Sequence, residues 1–548
     1  MPARSTENTH PLISVRDARV TFSEATESAC DNVSFDVWPG EIVGIVGESG
    51  SGKSVTCRAL MGMLPNTAAT TGTMTFKEKT FSLSDRRAIA NLRGSNLSMI
   101  FQDPMSALDP LKTIRGHIAL RTKTDPVSIL QMAGLPEPEP LLDSYAHQLS
   151  GGQCQRVAIG CALARAPDLL IADEPTTALD VTVQKSILSR LRQLGHDTNM
   201  AVLFVTHDLS VIYQICTRVL VMHCGRIVES GSVESVLTAP CNDYTKRLVA
   251  AIPRPETRGQ RLGLTQDQNA NRSPIPRSTN NTSPLLEFDG VHVQYKRNDG
   301  RLIDALNAFT LHLHQGEILG LVGESGSGKS TVAKTAVGLA PLVSGQVRLK
   351  GEVLDWIRPK RQWRRDVQYI FQDPRGALDP NARIIRQICL PLDIHRMGAR
   401  ADRLSRAREA MTETGFDIDL QSRKPGALSG GQRQRATIAR ALALRPDVLI
   451  CDESISALDV SIQARVLNLL MDLRDEFGLG ILFISHDLGV VHHLCDRVAV
   501  MCNGHMVEQG AIEHIFNAPK HPYTQTLLSA VPRLPARPET SVDEPVSP

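Results

Sequence analysis

Apolar residues in this chain fall into short unbroken runs set between stretches of helical spacing. The first half has runs at 42–46, 169–172 and 202–205; the second has them at 318–322, 448–451 and 481–484. Runs this short, bracketed by amphipathic segments, predict buried strands of a mostly parallel sheet with helices on its faces. The expected class is therefore α/β. Two stretches, at about 104–148 and 374–427, carry helix-like apolar spacing with several prolines. Each predicts a small helical subdomain inserted into the α/β core. No apolar stretch approaches the ~18 residues needed to span a bilayer.

The pattern occurs twice. GEIVGIVGESGSGKS at 40–54 returns as GEILGLVGESGSGKS at 316–330, FQDP recurs from Phe101 and Phe371, and LSGGQ from Leu149 and Leu428. One common offset carries Asp173-Glu174 to Asp452-Glu453, His207 to His486, and Tyr244-Thr245 to Tyr523-Thr524. Identical motif order predicts two homologous domains, 11–255 and 284–535, not a short solenoid repeat. Residues 256–283 are polar and rich in Asn, Ser, Thr and Pro, the composition of a flexible linker. Residues 536–548 read as a loose tail.

Composition changes this picture little. The 548 residues, 42% hydrophobic and 22% charged, suit a globular chain of more than one domain. Lys and Arg total 60 against 58 Asp and Glu, which gives no electrostatic footprint for nucleic acid. The N-terminus lacks the basic-then-apolar layout of a signal peptide, so a cytoplasmic chain is expected. The 11 cysteines form no C-x-x-C pair, and His492, His493 and Cys495 lack a second cluster that would complete a metal site. They are read as structural.

Chemistry enters with the two glycine-rich runs. Gly47-Glu48-Ser49-Gly50-Ser51-Gly52-Lys53-Ser54 and Gly323-Glu324-Ser325-Gly326-Ser327-Gly328-Lys329-Ser330 each leave an apolar strand and enter a helix. That is the context of a P-loop. The glycines let successive amides face phosphate oxygens, and the helix N-terminus adds positive potential. Lys53 and Lys329 suit the β- and γ-phosphates, while the Ser54 and Ser330 hydroxyls suit Mg²⁺. Val55 and Thr331 extend each loop. DLLIADE and DVLICDE end strands in paired acids, placing Asp173 and Asp452 as magnesium partners and Glu174 and Glu453 to polarise water. His207 and His486, each after an apolar strand, suit orientation of the γ-phosphate and the attacking water.

LSGGQ separates this chain from other P-loop proteins. HQLSGGQCQRVAIGCALA and GALSGGQRQRATIARALA, with FQDP, TALD or SALD and the strand-end histidine, closely resemble ABC ATPases. The resemblance covers the chain apart from linker and ends, and implies two ABC-type P-loop NTPase domains that bind and hydrolyse ATP with Mg²⁺. It implies that Ser150, Gly151, Gly152 and Gln153 of one half meet the nucleotide on Lys329. Ser429, Gly430, Gly431 and Gln432 would likewise meet the nucleotide on Lys53. Gln102 and Gln372 are implied as magnesium or water ligands, and Phe22 and Tyr295 as adenine-stacking candidates, with a core aromatic the competing role.

FQDPMSALDP, FQDPRGALDP, ALDVT, ALDVS and APKHPYTQTLLSAVPR narrow the resemblance to oligopeptide/dipeptide importer ATPases. That implies two permease subunits, an extracytoplasmic binding protein and a peripheral place on the cytoplasmic face of the membrane. No cysteine follows Arg533, or Arg254 before the second copy, so no iron–sulfur cluster is expected. Cys154 stands where the second copy has Arg433, and Ser454 where the first has Pro175. Neither removes a phosphate contact, so both sites are expected to be competent. Two other readings remain open: a membrane-free translation factor, and an importer ATPase for haem, nickel or another non-peptide cargo.

Overall fold

The computed structural model describes residues 10–23, 28–105, 107–176, 179–263, 283–296, 300–355, 360–371, 374–453, 455, 458–531 and 534–535. The chain divides into two compact units, one built mainly from residues up to Ala250 and the other mainly from Ala251–Val531.

In the first unit a six-stranded sheet runs in the order Arg226–Ser232, Arg218–His223, Ile42–Val46, Ala201–Thr206, Leu169–Asp173, Leu97–Ile100. All neighbours are parallel except the Arg218–Ser232 hairpin. Ile42–Val46, Leu169–Asp173 and Ala201–Thr206 are buried along their whole length. Full burial explains why they read as continuous apolar runs and not as alternating ones. A second, antiparallel sheet orders Cys30–Val37, Ile13–Phe22, Ala68–Phe76 and Lys79–Ser82. Leu60 and Cys57 of the helix Lys53–Leu60 join the core shared with that sheet.

The second unit repeats both sheets. Its six strands are Val367–Ile370, Val448–Asp452, Gly480–Ile484, Ile318–Val322, Arg497–Cys502 and His505–Ala511. Its antiparallel sheet orders Leu302–Leu313, Leu286–Lys296, Leu342–Leu349 and Glu352–Val353.

Between the sheet strands lie the expected helical insertions. Ile114–Ala119 and Pro126–Met132 form an apolar cluster with Cys154, Val157 and Cys161 of the helix Gly151–Leu163. Ile384–Ile394 and Arg400–Glu413 do the same with Ala436 and Ala439 of Gly430–Leu442.

One difference from the sequence reading concerns the start of the polar stretch. Residues 256–263 pack as part of the second unit, where composition alone suggested flexible linker. Arg261 donates to Asp472 Oδ1 (2.9 Å) and Asp475 Oδ2 (2.8 Å), the Leu262 amide donates to Asn468 Oδ1 (2.9 Å), and Leu262 is buried. Polar composition is compatible with order where carboxylates satisfy the guanidinium. The remainder of the expected linker, 264–282, and the expected tail lie outside the described residues.

Candidate active sites

The strand Ile42–Val46 delivers the chain to Gly47, and the helix Lys53–Leu60 takes it up again. Gly52 and Gly328 cap their helices at φ 103° and 104°, in the left-handed region. A Cβ on either would lie 2.5 Å from a carbonyl oxygen, that of Ala29 or Ala305, so only glycine fits. Gly50 and Gly326, also at positive φ, face open space. Ser49 and Ser325 complete the turns.

Each loop closes on its own lysine. Lys53 Nζ donates to Gly47 O (2.7 Å) and Glu48 O (2.9 Å); Lys329 Nζ donates to Gly323 O and Glu324 O, both at 2.8 Å. Both side chains are buried, and burial pushes the Lys329 ammonium below its ordinary pKa against the pull of nearby carboxylates. The hydroxyls of Ser51 and Ser327 are buried without a partner among the described residues. Buried ammonium groups on borrowed carbonyls and orphan hydroxyls at matching positions fit a site built for phosphate.

The residues expected to hold magnesium also lie together. Ser54 Oγ donates to Asp173 Oδ1 at 2.9 Å, and Ser330 Oγ to Asp452 Oδ1 at 3.1 Å. A hydroxyl and a carboxylate are hard oxygen ligands of the kind Mg²⁺ takes. Burial raises the pKa of both aspartates, and the serine hydroxyls partly offset this. A bound cation would relieve that desolvation.

Glu174 and Glu453 follow at φ 48° and 44°, a conformation non-glycine residues seldom adopt. Their amides are held by Val205 O and Ile484 O, each at 2.9 Å, so the neighbouring strand enforces the turn. The same turn in both copies puts each glutamate carboxylate directly after the strand-end aspartate. His207 Nδ1 lies 3.1 Å from Glu174 Oε1, and His486 Nδ1 lies 3.6 Å from Glu453 Oε1. Each histidine leaves a strand just before an aspartate-capped helix, Leu209–Ile215 or Leu488–Leu494, which fixes where it emerges. Gln102 Nε2 donates to Glu174 Oε2 at 2.9 Å, bringing that side chain into the same cluster. Gln372 and Ser454 lie outside the described residues.

Ser150 and Ser429 head the helices Gly151–Leu163 and Gly430–Leu442 with matching capping boxes. Each serine Oγ accepts from the glutamine amide at 3.3 Å, and the glutamine Oε1 of Gln153 or Gln432 accepts from the serine amide at 2.9 Å. Gly151 and Gly430 have nothing near a would-be Cβ, whereas Gly431 lies against Ile462. Cys154 is buried in the subdomain cluster, while Arg433 donates to Leu428 O (2.7 Å). Phe22 and Tyr295 end their strands half-buried against the core, Val55 packs on the same core as Phe22, and Thr331 is half-buried.

Two features escaped the sequence reading. Tyr369 donates to Asp452 Oδ2 at 2.6 Å, whereas Met99 occupies the corresponding place in the first copy. Tyr244 and Tyr523, noted only as part of a repeated segment, reach the P-loops with their hydroxyls.

Paired P-loops, each with a serine–aspartate pair, a strained glutamate and a strand-end histidine, define a tandem ATPase. The sequence matches the description ABC transporter over residues 30–177 and 306–456, and oligopeptide/dipeptide transporter, C-terminal region, over 228–278 and 507–545. This chain belongs to the ABC transporter family. It is 40% identical to the glutathione import ATP-binding protein GsiA of Pectobacterium atrosepticum, over 95% of this chain and 89% of that one. It is 41% identical to the peptidoglycan transport ATP-binding protein YejF of Agrobacterium fabrum, over 95% and 97%. The GsiA of Escherichia coli strain K12 is 39% identical over 95% and 89%.

Proposed function

We propose that this chain is the ATP-hydrolysing subunit of an importer for peptide-class solutes, working with two permease subunits and an extracytoplasmic binding protein. The observation that carries the reading is the oligopeptide/dipeptide transporter C-terminal region, matched once in each half. Relatives named for glutathione import and peptidoglycan transport, aligned over nearly the whole chain, support it. No described helix is long and apolar enough to cross a membrane.

In this reading Lys53 and Lys329 leave their loop carbonyls for the β- and γ-phosphates, and the loop amides hold the remaining oxygens. Ser54 with Asp173 and Gln102, and Ser330 with Asp452 and Gln372, would hold Mg²⁺, which when bound would supply positive charge to the phosphoryl oxygens. Glu174 and Glu453 orient the attacking water and take its proton, and His207 and His486 steady the glutamate and the γ-phosphate. The two halves act as a pair, the signature helix of one closing over nucleotide held by the other. Closure on ATP and release after hydrolysis make the two-state switch that drives transport.

The test is ATPase turnover and peptide uptake in proteoliposomes holding the complete transporter. Glu174→Gln and Glu453→Gln should each slow turnover at their own site by ~10²–10⁴-fold. Near-normal turnover in either variant would overturn the two-active-site reading. Uptake of haem or nickel, and not of peptides, would overturn the assignment of cargo.

A further inference from the structure

The tyrosine of the repeated C-terminal Tyr-Thr pair has no part in the chemistry above, yet the fold brings it to the P-loop in each copy by the same route. Glu229 accepts from the amides of Cys241 (2.8 Å) and Asn242 (3.0 Å), which fixes the turn before the helix Asp243–Ala250. Glu508 accepts from Lys520 (2.8 Å) and His521 (3.1 Å), ahead of Pro522–Ser529. A side chain then takes the tyrosine amide, Asn242 Oδ1 at 2.9 Å in one copy and His521 Nδ1 at 3.1 Å in the other. The loss of the His-Pro dipeptide in the first copy therefore leaves this contact intact.

So placed, Tyr244 Oη accepts from the Glu48 amide at 3.1 Å, and Tyr523 Oη from the Glu324 amide at 3.0 Å. The Gly47–Glu48 peptide unit that gives its N–H to Tyr244 offers its carbonyl oxygen to Lys53 Nζ; Gly323–Glu324 does the same for Lys329. One peptide plane is thus pinned from both sides, by a tyrosine and by the phosphate-binding lysine. Burial pushes the Tyr523 phenol up to about 12, so it stays protonated at neutral pH. The first copy adds the His223 ring, stacked on Tyr244 with centroids 3.9 Å apart.

We propose that Tyr244 and Tyr523 are positioning residues for ATP binding, and that the C-terminal segment of each half is a brace holding the P-loop in its receptive shape. When the lysine leaves for phosphate, the tyrosine alone still orients that peptide plane. Without the hydroxyl the amide loses its partner and the plane is free to turn.

The test uses Tyr244→Phe in a Lys329→Ala background and Tyr523→Phe in a Lys53→Ala background, in the full chain. Both substitutions keep the ring and its packing. A fluorescent ATP analogue should bind about five- to tenfold more weakly, the loss of about one net hydrogen bond. Amide exchange over 47–54 or 323–330 should quicken in nucleotide-free protein, with the melting temperature within about 2 °C of the parent. Tyr213→Phe, at an exposed tyrosine on the helix Leu209–Ile215, should change none of these. Unchanged affinity and exchange in both variants would overturn the proposal. So would weakened binding that comes with a fall in melting temperature of more than about 5 °C, because the tyrosine would then only hold the domain together.

Discussion

His493 shows what burial does to one titratable group. It is 1% exposed on the helix Leu488–Leu494, and its pKa is pushed down to about 4, chiefly by desolvation and secondarily by His492. A histidine depressed in the fold takes up its proton more readily in the unfolded chain, whose value is near 6.5. Its contribution is therefore complete above pH 6.5, is lost as pH falls towards 4, and is gone below that. The shift corresponds to roughly 3 kcal/mol. His493→Leu should remove most of this acid sensitivity: the gap in urea-unfolding free energy between pH 7 and pH 4.5 should narrow by about 1–3 kcal/mol. An equal pH dependence in variant and parent would show that the ring is not held neutral. The cluster formed by Lys53, Ser54, Asp173, Glu174, His207 and their repeats was legible in the sequence from motif spacing. Tyr369 was not, because its bond to Asp452 depends on parallel register between Val367–Ile370 and Val448–Asp452. Nothing local in the sequence signals a donor across 83 positions.

Among the elements, the signature helices carry the clearest local logic. Ser-Gly-Gly-Gln supplies a capping serine and a returning glutamine, and both copies close the box with the same distances. The glycines intrinsically disfavour helix, so the cap matters more than it would ahead of alanines. Ser429→Ala should cost about 1 kcal/mol of local stability, read as faster amide exchange over 430–435 while the sheet strand Val448–Asp452 stays protected. Equal protection before and after would mean that packing against the subdomain, through Ala436 and Ala439, holds the helix without its cap. Sheet strands were legible for the opposite reason: burial on both faces leaves no polar positions to blur them. The segment 256–263 was illegible, because an arginine destined for Asp472 and Asp475 looks in sequence like any solvated linker charge.

At the scale of the whole molecule, what matters is how closely one half repeats the other. Lysine bonds to the loop carbonyls differ by about 0.1 Å between copies, and the serine–aspartate bonds by about 0.2 Å. Differences such as Cys154 for Arg433, Met99 for Tyr369 and Asn242 for His521 leave the loop amides and lysines alone. Two loops of one geometry should each bind a nucleotide. Equilibrium titration of the purified chain with an ATP analogue, magnesium omitted, should therefore give two equivalents. Lys53→Ala should leave one equivalent, held by the second copy, and Lys329→Ala one held by the first; the double variant should leave none at micromolar ligand. Removing an ammonium group from two phosphate oxygens forfeits about 2–4 kcal/mol, a thirty- to thousandfold loss of affinity that titration resolves easily. A parent that binds one equivalent would show that matched geometry is not matched function. A single lysine variant that abolishes both equivalents would instead show that nucleotide in one half is required before the other can hold its own. Two separate single-equivalent curves would establish that each P-loop, with its own serine, aspartate and tyrosine brace, is a complete nucleotide-binding device before any partner is present.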